Sequence, residues 1–275
     1  MSIDPLEANT TPDARATGEY TPLPEFPPSP PLWNLRDLYL FLAFFLFVAW
    51  IASPLLVLAG YTVLRPHVGW HTPTQLLVKD NAFFLVISQE LAHFFVLGYV
   101  YLLIVIHYRR PFWQTLNWRN PTAHQAVRFF LGGILLAIAI RFAPTILPDR
   151  QDFPLERLFS SREATYMVGA FAILIAPFME ELIFRGVLFS IFEHHMGLRF
   201  AVAGTAVLFA GLHVPEYCGA WNHVLLIFIV GLVFSFARGF TGSLVPSVIL
   251  HLGYNATLMS GLLFGSQEVQ CLVRP

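Results

Sequence analysis

The sequence predicts an all-α fold, a polytopic transmembrane bundle of seven or eight helices, on three observations. The 275 residues are 56% hydrophobic and only 12% charged, where a soluble domain carries about 25% charged residues. Mean hydropathy is +0.62. The apolar residues also fall in runs long enough to cross a bilayer, which takes roughly 20 residues in a helix. Runs of this length exclude a membrane β-barrel, whose strands are about 10 residues of alternating polarity. The net charge of −1 gives no electrostatic reason to expect a nucleic-acid partner.

Residues 1–36 read as a disordered, proline-rich N-terminal tail, with Pro22, Pro24, Pro27, Pro28, Pro30 and Pro31 close together. It lacks the apolar core of a signal peptide. The first apolar run is Leu38 to Leu64, with Pro54 placed to kink it. A polar loop with His67, His71, Lys79 and Asp80 follows. The second run, Ala82 to Ile106, carries Gln89, Glu90 and His93 and ends in a basic stop at Arg109 and Arg110. Trp113, Trp118 and Arg119 suit the membrane interface ahead of the third run, Ala126 to Ala143. Residues 147–163 are polar and read as a loop or interfacial segment.

The next run, Tyr166 to Phe192, is interrupted by Pro177, Glu180, Glu181 and Arg185. It reads as one kinked helix or as two. Leu198 to Leu212 is short and apolar; His223 to Ala237 and Leu244 to Phe264 complete the set. The organisation is therefore a tail (1–36), N-terminal helices and loops (37–165), a transmembrane core (166–264) and a C-terminal tail (265–275). Cys218 and Cys271 make neither a disulfide framework nor a cysteine zinc site and read as inert.

Charged groups within a span are costly, so they mark cavities and function. In Glu180-Glu181-x-x-x-Arg185 the two residues four apart share a helix face. Glu181 and Arg185 can neutralise each other, which leaves Glu180, about 100° round the helix, free for general-base work. Both glutamates in structural ion pairs is the competing reading. His213 closes the short apolar helix; Gly204, Ala206, Ala210 and Gly211 let that helix pack closely on neighbours. His251 and Asn255 are again four apart. Two donors aimed at one point make an oxyanion hole, although the same pair could ligate a metal or bridge helices. Together the four side chains could supply an activated water, a base and oxyanion stabilisation. Glu90 and His93 are read as a buried, hydrogen-bonded pair.

The segment Pro177-Phe-Met-Glu-Glu-Leu-Ile-Phe-Arg-Gly-Val-Leu-Phe189 closely resembles the first motif of the CPBP family: CAAX prenyl-protein endopeptidases, Rce1-like enzymes and bacteriocin-related Abi proteins. Phe209-x-x-x-His213 resembles the second motif, and Thr241 to Asn255, with His251, the last. Order and spacing agree over residues 166–264. The resemblance implies an eight-helix intramembrane endopeptidase in which Glu180 and His213 activate water, His251 and Asn255 form the oxyanion hole, and Glu181 and Arg185 support the site. It implies a peptide or lipidated protein substrate, including a prenylated CAAX terminus, held in membrane lipid.

There is no His-Glu-x-x-His zinc motif, so no cofactor is required; were zinc bound, Glu180, His213 and His251 would be its ligands. Two other classes compete. One is a non-catalytic membrane scaffold or immunity protein that keeps the motifs. The other is a proton-coupled carrier, against which an Asn255 donor beside His251 argues. The expected location is the cell membrane of a bacterium or the endoplasmic reticulum membrane of a eukaryote. Oligomeric state is left open by the sequence.

Overall fold

A computed structural model of the chain describes residues 33–68, 82–143, 162–217 and 220–272, nearly all helical and with no strand among them. Helices α1 (Leu35–Phe47) and α2 (Ser53–Val68) are joined through a π turn, Val48–Ala52. The turn has a local cause. Pro54 brings no N–H and its ring crowds the carbonyl four residues back; a wider turn just before it relieves the clash. The kink expected at Pro54 is thus a π turn inside one apolar rod. Asn34 and Asp37 cap α1 reciprocally, the capping-box arrangement that satisfies two orphan donors. The Tyr108 hydroxyl donates to the Asp37 carboxylate.

Helix α3 (Ala82–Tyr101) also closes in a π turn, Leu102–His107. A short α4 (Phe112–Thr115) leads to α5 (Ala123–Phe142), which starts on a Thr122–Gln125 capping box. After α6 (Arg162–Leu174) the helix breaks at Ile175 and resumes as α7 (Ala176–Glu181), with Pro177 in its first turn. Proline is suited to that position because its missing N–H would be unpaired there anyway. A π turn, Leu182–Leu188, then α8 (Phe189–Met196) complete the segment, which is therefore a broken helix. Helix α9 (Leu198–Leu212), a 3-10 turn (Val214–Tyr217), α10 (Trp221–Thr241) and α11 (Leu244–Leu272) follow.

Among the described residues, five helical stretches are long and apolar enough to cross a membrane: Leu35–His67, Ala82–His107, Ala123–Phe142, Ala164–Met196 and Trp221–Thr241. Large apolar side chains point outward along them; Phe94 is 70% exposed and Phe240 79%. Such a surface is unfavourable in water and normal against lipid. The protein is an integral membrane protein.

Small residues set the closest helix contacts, as expected where lipid supplies no hydrophobic drive. A Cβ on Gly133 of α5 would collide with the Leu250 carbonyl of α11, and one on Gly253 with the Phe130 carbonyl of α5. Likewise Gly231 of α10 lies against Ala206 of α9. The start of α11 is seated on the loop before α5. Arg119 N–H donates to Ser243 Oγ (3.2 Å), Ser243 Oγ donates to the Arg119 carbonyl (2.8 Å), and Leu244 N–H donates to the Asn117 carbonyl (3.0 Å). Gly242, at φ +61°, supplies the left-handed residue that ends α10.

The main core cluster joins α1, α3, the π turn after α7, α8 and α11 through Phe41, Val96, Ile104, Leu182, Phe189 and Leu244. One expectation is corrected here. Glu90 and His93 are not a hydrogen-bonded pair: Glu90 Oε1 and His93 Nδ1 are both buried without a partner. The reason is that His93 is turned onto the Phe171 ring of α6, 6.0 Å between centroids at 23°. The polar loop with His71, Lys79 and Asp80, most of residues 147–163, the proline-rich tail up to residue 32, and Cys218 lie outside the described residues.

Candidate active site

The helix break at Ile175 and the π turn at Leu182–Leu188 bracket the two glutamates. A π turn within an α-helix costs regular hydrogen bonding and is frequent at functional sites. Here it carries Arg185 into the protein interior. Glu181 and Arg185 are both fully buried and paired at 2.9 Å. A buried guanidinium must have its donors satisfied, and this one does. Its Nε donates to Ser235 Oγ (3.2 Å), and its remaining terminal nitrogen to the Gly231 carbonyl (2.8 Å). Ser235 in turn bonds Thr205 of α9 at 2.9 Å. The Phe209 and Phe234 rings flank the guanidinium at 4.8 and 5.4 Å, within cation–π range. The Glu181–Arg185 pair therefore ties α7 to α9 and α10.

His251 of α11 is buried against Phe234, with ring centroids 4.4 Å apart. Its Nδ1 lies 3.0 Å from Glu181 Oε1, the oxygen that also accepts from Arg185. A carboxylate oxygen accepts, so Nδ1 carries a proton. The other ring nitrogen, Nε2, lies 3.8 Å from Glu180 Oε2. That separation is too long for a hydrogen bond. Glu180 keeps 19% of its side chain exposed while Glu181 keeps none.

His213 caps α9. Its Nδ1 lies 2.7 Å from the Phe209 carbonyl, which can only accept. In the neutral ring the proton is therefore on Nδ1, and Nε2 presents a lone pair. The Phe209 ring touches His213 (4.7 Å) and approaches His251 (6.1 Å), so one aromatic spaces the two histidines. His213 lies within electrostatic reach of Glu180 and of Glu216.

Asn255 is placed differently from His251. Its Nδ2 donates to the Ala172 carbonyl of α6 at 2.8 Å, whereas His251 faces the glutamates of α7. The two residues stand on one helix, and the structure gives them separate partners; Asn255 has one N–H left for another acceptor.

Glu180, Glu181, Arg185 and His251 thus form one constellation, with His213 beside it across Phe209. Two contributors, Phe234 and Ser235, carry no signal in the spacing of charged residues. Phe234 and Ser235 lie in an unbroken apolar helix. Glu216 could have been found from its place three residues after His213.

Among the described residues no group of three or more His, Cys, Asp or Glu side chains is arranged to hold a metal ion.

No curated protein and no solved structure matches the chain. A family of proteases does match part of it. Residues 162–257, the segment that carries Glu180, Glu181, Arg185, His213, His251 and Asn255, match the family model of the type II CAAX prenyl endopeptidase Rce1-like proteins.

Proposed function

We propose that this protein is an intramembrane endopeptidase that hydrolyses a peptide bond in a membrane-associated substrate, prenylated CAAX-type chains included. One observation carries the reading. Within a segment similar to prenyl endopeptidases, Glu180 is the partly exposed carboxylate beside a buried Glu181–Arg185 ion pair.

In this reading Glu180 takes a proton from a water molecule, and Nε2 of His213 orients that water. The water oxygen bonds to the scissile carbonyl carbon, and the electron pair moves onto the carbonyl oxygen. His251 and Asn255 donate to that oxyanion. Because Nδ1 of His251 is engaged by Glu181, its donation to the oxyanion comes from Nε2. Collapse of the intermediate breaks the C–N bond, and the leaving amine takes the proton held by Glu180. The products are a shortened chain with a new carboxyl group, whose proton passes to the released amine, and the amine-terminated peptide. Atoms and protons balance with these side chains and one water.

The test is cleavage of a farnesylated CAAX peptide by the protein purified in detergent. Wild type should release the C-terminal peptide, and Glu180→Ala should slow release by at least about 10²-fold, a typical general-base contribution. Equal rates would remove Glu180 from the mechanism. Failure of wild type to cleave any membrane-anchored peptide would favour a binding or scaffold role.

A further inference from the structure

Three segments far apart in the chain meet at one corner of the bundle: the start of α1, the residues after the π turn that ends α3, and the end of α8. Side chains make the junction. The Trp33 ring meets the Tyr108 ring edge-on, 6.2 Å between centroids. His195 Nε2 donates to the Trp33 carbonyl at 3.2 Å, and the Tyr108 hydroxyl donates to Asp37. Arg36, Arg109, Arg110 and, in the first turn of α9, Arg199 stand around this junction, and all four are exposed.

The corner carries more positive charge than the fold neutralises. Asp37 is buried and already accepts from Tyr108 and from the Asn34 N–H at 3.0 Å. Glu193, near the end of α8, lies within electrostatic reach of Arg238 of α10. Among the described residues none of the four guanidinium groups has a hydrogen bond or an ion pair. Arg36 and Arg199 stand in the first turns of α1 and α9, where the helix dipole opposes a cation. Arg109 takes φ +52°, a left-handed conformation uncommon for a residue with a side chain. The Arg110 N–H then donates back to the Ile104 carbonyl at 3.0 Å, which fixes the backbone that carries both arginines. An anion held at this corner would offset these unfavourable placements.

The surface beside the arginines says which anion. Tyr39, Leu40, Leu102, Ile106 and Met196, on the same three segments, are exposed and form a surface suited to acyl chains. Trp33 and Tyr108 are the residue types of the membrane interface. The arginines therefore stand at the level where hydrocarbon gives way to phosphate. We propose that this corner binds the headgroup of an anionic phospholipid, with Arg36, Arg109, Arg110 and Arg199 facing its phosphate and the apolar side chains beside them facing its acyl chains. A guanidinium can meet two phosphate oxygens at once. A zwitterionic headgroup sets its own ammonium against the same arginines and is the weaker ligand. This inference does not depend on the peptidase reading.

The experiment measures Tm of the full-length protein in mixed micelles that carry phosphatidylglycerol or, at the same mole fraction, phosphatidylcholine. The quantity read is the gain in Tm within each variant, so that its own basal stability cancels. Wild type should gain about 4 °C or more from phosphatidylglycerol and much less from phosphatidylcholine. Arg109→Gln combined with Arg110→Gln should lose most of that gain. Arg65→Gln combined with Arg141→Gln, which removes two charges from the last turns of α2 and α5, should keep it. Inorganic phosphate at matched ionic strength should give no comparable gain. Equal gains from the two lipids, or a gain that survives Arg109→Gln with Arg110→Gln, overturns the assignment. An equal gain from inorganic phosphate overturns the lipid and leaves a simple anion site.

Discussion

Glu181 Oε1 is shared by Arg185 at 2.9 Å and His251 at 3.0 Å, so a single buried oxygen joins the broken helix α6–α8 to α11. Through Arg185 the same junction reaches Ser235 and Gly231 on α10. The core of the molecule and the candidate catalytic histidine are therefore held by one charged node.

That node predicts an asymmetry. Arg185→Met leaves the Glu181 charge buried without its main partner, and breaking a buried pair costs about 3–5 kcal/mol. Combining Arg185→Met with Glu181→Leu removes both charges and should recover part of the loss. Thermal unfolding in detergent of the two single variants and the double variant reads the difference. A double variant less stable than Arg185→Met would contradict the pairing.

Asn255 makes a separable prediction. Its bond to the Ala172 carbonyl is one neutral hydrogen bond between helices, and Asn255→Ala should cost only about 1 kcal/mol of stability. If its second N–H also donates to the oxyanion, kcat falls by about 10²-fold. A small shift in Tm together with a large loss in kcat is the expected pair of results. A loss of both in proportion would make Asn255 purely structural.

Gly253 and Gly133 test the packing. A methyl group at Gly253 would meet the Phe130 backbone of α5, and backbone cannot yield as a side chain does. Gly253→Ala should lower Tm by several degrees, corresponding to about 1–3 kcal/mol. Gly98 has open space where a methyl group would stand, with nothing within 4 Å. It serves as the control and should tolerate alanine.

Tyr108 gives a pH signature outside the spans. Burial, and then its hydrogen bond to Asp37, push the phenol up to about 12 from its ordinary 10.0. A folded-state value above the unfolded one means the contribution is complete below about pH 10 and lost as pH rises toward 12. Tyr108→Phe should lower Tm at neutral pH and show a shallower fall in alkali than wild type. Identical alkaline slopes would contradict the coupling.

Much of this arrangement is legible in the sequence, for physical reasons that can be named. The spans follow from run length, because every lipid-exposed backbone group must be paired within its own segment. The Glu181–Arg185 pair follows from helical spacing, which the π turn at Leu182–Leu188 does not undo. The π turns themselves are not legible, apart from the one that Pro54 provokes. The shared oxygen of Glu181 is not legible either, since it depends on where α11 crosses α7. The hydrogen-bonded pairing expected of Glu90 and His93 fails because Phe171 offers the imidazole an aromatic face instead. The target of Asn255, a backbone carbonyl on α6, has no side-chain signature at all.

We propose that peptide cleavage needs no metal ion. The described residues contain no arrangement of three or more His, Cys, Asp or Glu side chains suited to a metal ion. Prolonged chelation should therefore leave peptide cleavage within about twofold of the untreated rate. Loss of cleavage that zinc restores would show that the site closes around a metal during turnover.

The most direct test of the central claim is single-turnover cleavage of a farnesylated CAAX peptide by wild type and by Glu180→Gln, which keeps the side-chain shape and removes the base. Wild type should cleave, and the variant should lose about 10²-fold or more in rate with its thermal stability unchanged. Equal single-turnover rates in the two proteins would contradict a general-base role for Glu180.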